Sequence, residues 1–305
     1  MNKDSLIKNL NKVEKIAAAS KFERLVAHPI NYINAILYRE LFYKRNKKEK
    51  EVESETFFGT KMSLLLPSGT DIYLTGGKSH GSETRLARFL INNLEIGDTF
   101  IDVGAHYGYF SLLGSKLVGQ KGKVFSFEAA PKTFKVLNKN TSKTPNLKSF
   151  NLAVSDEISE LKFYEFPNLY SEYNSLEVNQ YKNEKWFSKY KPKEIKISSV
   201  ILGEFLHKEN VFPKVIKIDV EGAEYRVING LSDFLTQKSP IIVMEFLSQE
   251  RGSTGHHDAT KKLKSLGYIS YVIDTSGNLK HIEGISEYLK EMDLESDNIV
   301  FVKST

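Results

Sequence analysis

Apolar residues recur along the chain with two different spacings, and each spacing predicts a different kind of element. Short apolar runs bounded by glycine, proline or charged residues indicate buried strands. We expect seven strands, at residues 99–103, 123–128, 147–152, 215–220, 240–246, 268–273 and 298–302. Helical periodicity separates most of these runs. Such alternation is typical of an α/β protein whose mostly parallel sheet carries helices on both faces.

Two helices are predicted ahead of this region, because apolar residues recur there every three or four positions. The apolar stripes are Leu6, Leu10, Val13 and Ala17 in the first helix and Ile30, Ile33, Leu37 and Leu41 in the second, which follows Pro29. The second helix ends in the charged run KRNKKEKEVESE, which indicates a linker. We therefore divide the chain into a basic helical arm with its linker, residues 1–55, and an α/β domain, residues 56–305.

Two more elements are expected between the linker and the first strand of the sheet. The stretch MSLLLPSGTDIYLTGG predicts a hairpin of two short strands that turn at Pro67, Ser68 and Gly69. An amphipathic helix follows from Ser82. Its inner side carries Leu86, Phe89, Leu90 and Leu94.

Residues 163–192 interrupt the alternation of strands and helices with an aromatic insertion. Nine Phe, Tyr and Trp residues lie between positions 163 and 190, and they include Trp186, the single tryptophan of the chain. Long insertions in compact domains often serve as lids or binding loops. We therefore expect a ligand to be recognised here.

Charge is distributed unevenly and points to a partner for the arm. The chain carries +5 in total, but residues 1–50 contain twelve Lys and Arg against five Asp and Glu. This excess favours contact with an anionic partner such as a membrane surface, while a solvated helix face is the alternative. The apolar stripes of the arm are also compatible with a homodimer.

The absence of cysteine excludes a disulfide framework and a thiolate metal site. The charged amino-terminal residues lack the apolar run of a signal peptide, and no run of about 18 apolar residues suits a spanning helix. The expectation is a cytoplasmic protein.

The stretch IDVGAHYGYFS, residues 101–111, is predicted to form the first strand-to-helix turn of the sheet. Gly104 allows the backbone to approach a ligand, and Gly108 opens a helix whose amino-terminal N–H groups favour an anionic group. Glu128 ends the next strand, where a carboxylate can accept both hydroxyls of a ribose. A purely structural tight turn would also require glycines, but the joint occurrence of strand, acid, glycines and Glu128 favours a nucleoside site.

Two cofactor classes use this layout. Dinucleotides are held by G-x-G-x-x-G, whereas this chain has G-x-x-x-G. Asp102 precedes the first glycine by two residues, where a carboxylate repels a pyrophosphate but attracts an ammonium or sulfonium group. The motif therefore favours S-adenosylmethionine over NAD.

The motifs together also resemble a known family. IDVGAHYGYFS, VFSFEAAPKTFKVLNKN, NLAVSD, VIKIDVEGAEYRVINGL and IIVMEF are similar to the FkbM family of class I S-adenosylmethionine-dependent methyltransferases, from about residue 82 to the carboxyl terminus. The resemblance implies a Rossmann-like α/β fold with a seven-stranded sheet, and O-methylation of a hydroxyl on a sugar, glycan or related metabolite. His106 stands where many relatives carry Asn. The residues predicted to contact the cofactor are Glu83, Asp102, Gly104, Ala105, His106, Gly108, Glu128 and Ala153.

A methyltransferase that acts on a hydroxyl needs a nearby base, and KIDVEGAE supplies the candidates. Asp219 ends a parallel strand, Glu221 follows two residues later, and Lys217 lies two residues before. We predict that Asp219 or Glu221 handles the acceptor hydroxyl. Lys217 either orients a carboxylate and stabilises developing charge or forms a structural ion pair.

Two weaker candidates complete the catalytic set. Glu245 ends IIVMEF and is predicted to contact the acceptor; together with Asp219 it could bind Mg²⁺, although base or hydrogen-bond roles are favoured and no metal is predicted. His257, expected in a loop before a helix, is a further proton acceptor, with a surface position as the alternative.

The acceptor is expected to meet the aromatic insertion, because flat aromatic side chains offer apolar surface with polar edges to a sugar ring. Tyr173 and Trp186 are the predicted contacts, with Tyr170 and Tyr190 as further platforms; packing within a small subdomain is the alternative.

An O-methyltransferase with a sugar or glycan acceptor is therefore the preferred function. A non-catalytic binding or assembly protein docked through the basic arm is the alternative. Nucleic acid is not expected as a partner, because basic residues are not interleaved with aromatic ones across the core.

Overall fold

The structure, a computed structural model, describes residues 2–178, 181–182, 184–248 and 255–304. Within these residues the helices are α1 (Lys3–Ala18), α2 (Lys21–Ala27), α3 (Pro29–Leu37), α4 (Lys44–Asn46), α5 (Thr70–Thr75), α6 (Gly81–Asn93), α7 (Tyr109–Val118), α8 (Pro131–Thr141), α9 (Leu202–Lys208), α10 (Glu224–Gln237), α11 (Gly255–Ser265) and α12 (Ile285–Glu291). A π-helical segment, Tyr38–Tyr43, joins α3 to α4, and a 3₁₀ helix covers Asn168–Tyr173.

The strands of the same residues are β1 (Lys50–Glu55), β2 (Lys61–Leu66), β3 (Thr99–Val103), β4 (Lys123–Phe127), β5 (Leu147–Phe150), β6 (Ala153–Ser155), β7 (Glu160–Glu165), β8 (Lys193–Ile201), β9 (Val215–Ile218), β10 (Ile241–Leu247), β11 (Tyr268–Ile273), β12 (Leu279–His281) and β13 (Ser296–Lys303).

The main sheet confirms the predicted α/β fold with a mostly parallel sheet. Its order is β12-β11-β13-β10-β9-β3-β4-β5, with β10, β9, β3, β4 and β5 parallel and β13 antiparallel to both of its neighbours. All seven predicted strands belong to it. Across the described residues the sheet has eight strands rather than seven, because the three-residue strand β12 pairs with the edge of β11.

Alternating residues of the central strands supply the core on both faces of the sheet, as the two-residue period of a strand requires. On β3, Phe100 packs into the cluster formed with α1, α6 and α7. Its neighbour Ile101 packs into the opposite cluster, formed with α10 and α11. The helices therefore cover both faces, as the sequence predicts.

Two expectations for the segment before α6 are wrong. The charged run 44–55 is not a simple linker, because β1 pairs antiparallel with β2 across the expected boundary at residue 55. Most of β1 is exposed, so its sequence lacks an apolar stripe. The second strand of the expected hairpin is the helix α5, which ends at Gly76 with a left-handed φ of +75°. Gly supplies that conformation without strain and stops the helix.

The arm is only partly packed against the domain. Leu6, Leu10 and Val13 of α1 are buried, and α1 contacts α6. None of the helices in the described part of the chain combines the length and the hydropathy that crossing a bilayer requires.

The aromatic insertion grows from a separate small sheet. In this sheet β8 lies between β6 and β7, and β7 pairs antiparallel with β8. Between β7 and β8 the chain forms the 3₁₀ helix and an aromatic cluster. The insertion is thereby held at the end of the main sheet where β3, β4 and β9 terminate.

Candidate active site

A cavity of about 870 Å³ lies at the carboxyl ends of β3, β4, β9 and β10, where open α/β sheets bind their ligands. Predicted site residues that line it are Glu83, Gly104, His106, Glu128, Ala153, Tyr173, Lys217, Asp219, Glu221 and Glu245. Asp102, Ala105, Gly108, Trp186 and His257 do not line it.

The turn after β3 needs its glycines mainly to fit against the protein itself. Gly104 has a φ of +76°, and a Cβ there would lie 1.7 Å from the carbonyl oxygen of Asp219. Gly108 has a φ of +89°, caps α7 and donates its N–H to the carbonyl of Ala105 at 2.8 Å. The bare backbone at Gly104 therefore accommodates the backbone of Asp219 just after β9. Gly104 also lines the cavity, and its contact with a ligand stays a prediction.

Glu128 faces the cavity with a fixed carboxylate. One oxygen accepts the backbone N–H of His106 and the other that of Ala130, each at 2.9 Å. Burial raises the pKa of Glu128 to about 7, although both hydrogen bonds favour the ionised form. These contacts hold the carboxylate in place and leave it lone pairs for a ligand.

Asp102 lies beneath the turn, which corrects its placement as a direct ligand contact. It is 1% exposed, and Ser111 Oγ donates to its Oδ2 at 2.5 Å. Its Oδ1 lies 3.5 Å from the ammonium of Lys217, the residue opposite it on β9. Asp102 therefore anchors Lys217 and the first turn of α7.

Three carboxylates meet at the ends of β9 and β10. Asp219, Glu221 and Glu245 each offer an oxygen within 4.8 Å of the others. Burial and the nearby Asp219 charge raise the pKa of Glu245 to about 8. Burial, then Glu245 and Asp219, raise the pKa of Glu221 well above its ordinary value. We call these residues the carboxylate cluster; their spacing also suits a divalent cation, the lesser role considered for Asp219 and Glu245.

Lys217 contacts the carboxylate cluster through Asp219. Its Nζ lies 3.1 Å from Asp219 Oδ2, and its side chain is 4% exposed. Burial alone would lower the pKa of Lys217, but the carboxylates of Asp219 and Asp102 outweigh that effect and raise it. The structural ion pair left open by the sequence is therefore present, and the same pair orients Asp219.

Glu221 is held in an unusual conformation by the aromatic insertion. Its φ is +55°, a left-handed value that is strained for a residue with a Cβ. Tyr181 donates its hydroxyl to Glu221 Oε2 and Ser175 donates to the Glu221 carbonyl, both at 2.6 Å. The insertion therefore fixes one member of the carboxylate cluster.

A second group of charged residues lines the same cavity. Lys78 Nζ contacts Glu83 at 3.0 Å and Glu172 of the 3₁₀ helix at 2.7 Å. Burial raises the pKa of Asp71, which lies near the same ammonium, to about 7. Only Glu83 was predicted from the sequence. Asp71 belongs to the predicted hairpin and Glu172 to the aromatic insertion, whereas Lys78 directly follows the predicted hairpin. No motif marks these three residues.

The aromatic insertion also contacts the turn after β3. His106 Nε2 lies 3.0 Å from Ser171 Oγ, and Asn168 donates to the Tyr107 hydroxyl at 2.8 Å. Burial lowers the pKa of His106 to about 4, so the imidazole is neutral. The insertion thus forms one wall of the cavity.

Only part of the predicted aromatic platform reaches the cavity. Tyr173 lines it. Trp186 does not, because its indole stacks on Tyr170 with ring centroids 4.1 Å apart and on Tyr173 at 5.3 Å. Packing therefore accounts for Trp186, and the expectation of a direct acceptor contact is corrected.

His257 lies outside the cavity. It belongs to α11 rather than to a loop, and its ring packs edge-on against Phe246 at 4.9 Å. The neighbouring His256 is buried, with Nδ1 3.1 Å from Glu224 Oε2. His257 is not among the residues that line the cavity, so its position does not support the predicted catalytic role.

A profile of the methyltransferase FkbM domain matches residues 102–270, more than half of the chain. The chain belongs to the FkbM methyltransferase family. The match begins at Asp102 and includes Glu128, Lys217 and the whole carboxylate cluster. The family predicted from the sequence is confirmed, and residues 102–270 carry its methyltransferase domain.

Individual relatives of this FkbM methyltransferase are distant. The hexuronic acid methyltransferase AglP of Haloferax volcanii is 26% identical over 163 residues, which are 53% of this chain and 61% of that protein. The chain thus spans less than two thirds of that relative's length.

Two solved structures are similar to this FkbM methyltransferase. A methyltransferase FkbM from Methylobacillus flagellatus KT is 13% identical, with 77% of this chain and 52% of that chain covered and a TM-score of 0.42. A SAM-dependent O-methyltransferase from Thermotoga maritima is 14% identical, with 83% and 78% covered and a TM-score of 0.42.

Proposed function

We propose that the protein methylates a hydroxyl of a sugar, glycan or related metabolite, with the carboxylate cluster at the acceptor end of the cavity. The observation that carries this proposal is the contact between Gly104 and the backbone of Asp219. It brings the turn after β3 directly against the cluster. A donor held by that turn and an acceptor held by the cluster would then share one cavity.

The chemistry of the cavity fits S-adenosylmethionine. When bound, this cofactor supplies a methyl group activated by a sulfonium. Glu128 would accept the ribose hydroxyls, since its carboxylate is fixed by two backbone amides and faces the cavity. His106 and Ala153 line the same region. Carboxylates around the cavity favour a cationic sulfonium, whereas a pyrophosphate would be repelled.

The carboxylate cluster would orient the acceptor hydroxyl and take its proton. Lys217 holds Asp219 toward the cavity as a hydrogen-bond acceptor. Glu245, with a pKa of about 8, becomes ionised just above neutral pH and can then accept a proton. Because the three carboxylates interact, the proton belongs to the cluster rather than to one residue.

A sugar-class acceptor is supported by the AglP relative and by Tyr173, which offers an aromatic surface to the cavity. The charges that line the cavity narrow the range of sugars that we expect as acceptors. Among the described residues that line it, nine are Asp or Glu and three are Lys or Arg. The lining becomes strongly negative only above about pH 8, where Glu128 and Glu245 are ionised. In that range we expect an acceptor that is uncharged or cationic near the reacting hydroxyl, because the carboxylate of a hexuronic acid would face the ionised residues.

Transfer of a labelled methyl group from S-adenosylmethionine to a panel of acceptors tests the proposal. The panel contains neutral methyl glycosides, amino sugars and hexuronic acids, and products are identified by mass spectrometry. O-methylated neutral or amino sugars are the expected products. Methylation at nitrogen or carbon only, or no product from any sugar while the cofactor binds, would overturn the proposed acceptor class.

A further inference from the structure

The arm carries a continuous row of exposed apolar side chains. In the described part of the chain, seven of the twelve exposed large apolar residues lie between positions 22 and 42. They are exposed by 48 to 74% and comprise Phe22, Val26, Ile30, Ile33, Leu37, Leu41 and Phe42. Contiguous exposed apolar surface of this kind marks an interaction site. We call these seven residues the arm stripe.

The arm stripe faces away from the domain. Within α2, Phe22 and Val26 are four residues apart and share one side of the helix. Within α3, Ile30, Ile33 and Leu37 are likewise spaced by three or four residues, and Leu41 and Phe42 follow in the π-helical segment. Two other side chains of the same segment are buried. Ala35 and Tyr43 are covered, and the Tyr43 hydroxyl accepts the N–H of Leu169 at 3.0 Å. The domain therefore leaves the stripe uncovered.

The segment that carries the stripe is also rich in basic residues. Residues 21–48 contain seven Lys and Arg against two Glu. A second copy docked through the same face would bring two such basic patches together, and like charges at an interface oppose association. A partner with an apolar interior and an anionic surface would match both the apolar stripe and the basic residues. Anionic phospholipid bilayers have this character.

We propose that the arm stripe docks the protein on an anionic membrane surface. The apolar side chains enter the boundary between headgroups and acyl chains, and the basic side chains contact the headgroups. Arg24, on α2 between Phe22 and Val26, also lines the active-site cavity. Docking through α2 and α3 therefore places the cavity beside the lipid surface.

Co-sedimentation of the full-length protein with vesicles tests this proposal. The two vesicles are phosphatidylcholine alone and phosphatidylcholine with 30% phosphatidylglycerol. We expect at least tenfold stronger partition to the anionic vesicles, with the difference reduced by added salt because surface charges are screened. Equal partition to both, or none to either at low salt, would overturn the proposal.

Two double variants test the apolar and the basic side chains of the arm separately, and a third is the control. Phe22→Ser/Ile30→Ser removes apolar side chains from the stripe, and Arg45→Glu/Lys48→Glu reverses exposed basic ones; each is expected to reduce partition at least tenfold. Ile158→Ser/Phe212→Ser removes two exposed apolar residues outside the arm, 66% and 54% exposed, and serves as the control, with no change expected. Loss in the control as well would contradict the proposal. So would a concentration-dependent dimer in sedimentation velocity that the Phe22→Ser/Ile30→Ser variant abolishes.

Discussion

Asp102 and Lys217 lie directly opposite each other on the neighbouring parallel strands β3 and β9. Their side chains point to the same face of the sheet, with Asp102 Oδ1 3.5 Å from Lys217 Nζ. Strand register therefore places a buried ion pair directly under the turn that begins the cavity. Lys217 Nζ also lies 3.1 Å from Asp219 Oδ2. The buried ion pair and the carboxylate cluster therefore form one charged network.

Replacing Lys217 with Met is expected to lower the free energy of unfolding by about 3–5 kcal/mol, since it leaves the carboxylate of Asp102 buried without a cation. Urea unfolding followed by circular dichroism measures the change. Lys214→Met, an exposed position just before the same strand, is the control and should cost less than about 0.5 kcal/mol. Similar stability of both variants would show that the ion pair does not support the fold.

Gly104→Ala is expected to be strongly destabilising, by more than about 3 kcal/mol, because its Cβ would overlap the Asp219 carbonyl. Gly97→Ala is the matched control. Gly97 has a similar φ of +97°, but no atom lies within 4 Å of its Cβ position, so only the conformational cost of about 1 kcal/mol applies. Thermal unfolding compares the two; equal losses would mean that the close approach at Gly104 is not needed.

The sheet could be predicted because its strands are buried on both faces and read as apolar runs. The run at 99–103 coincides with β3, and 268–273 coincides with β11. β1 was missed because an exposed two-stranded sheet needs no apolar stripe. α5 was read as a strand because its residues Ile72 and Tyr73 favour strands, whereas burial of Ile72 and the left-handed Gly76 fix a short helix.

The candidate site was predictable only where a motif marks a strand end. Glu128, Asp219 and Glu245 lie around one cavity because parallel strands end at the same edge of the sheet. Lys78 lines the same cavity from the turn before α6, and Tyr181 of the aromatic insertion bonds to Glu221 of the cavity wall. Such contacts depend on how separate segments pack against each other. The spacing of residues within one segment does not predict that packing.

The affinity for S-adenosylmethionine is expected to depend on pH through Glu128. Its pKa of about 7 leaves the carboxyl largely protonated at pH 6 and ionised at pH 8, and only the ionised form accepts from both ribose hydroxyls. The Kd should therefore fall about tenfold from pH 6 to pH 8. The same raised pKa weakens the fold as pH rises from about 4.5 to about 7, because the unfolded carboxyl loses its proton first.

Isothermal titration at several pH values measures this dependence. Glu128→Gln should bind about 10- to 100-fold more weakly and show a flat pH profile, since a neutral amide replaces the carboxylate. Glu165 is as buried as Glu128, with 7% of its surface exposed, but it lies outside the cavity, so Glu165→Gln should keep the pH profile of the unchanged protein. A pH dependence that persists in Glu128→Gln would assign it to another group.

The most direct test of the whole account is the Asp219→Asn variant, measured for both cofactor binding and turnover. If Asp219 belongs to the cluster that orients and deprotonates the acceptor, kcat falls by about 100-fold or more, and the Kd for S-adenosylmethionine changes by less than about threefold. Unchanged turnover, or loss of cofactor binding in a variant that is still folded, would contradict the assignment of the carboxylate cluster to the acceptor.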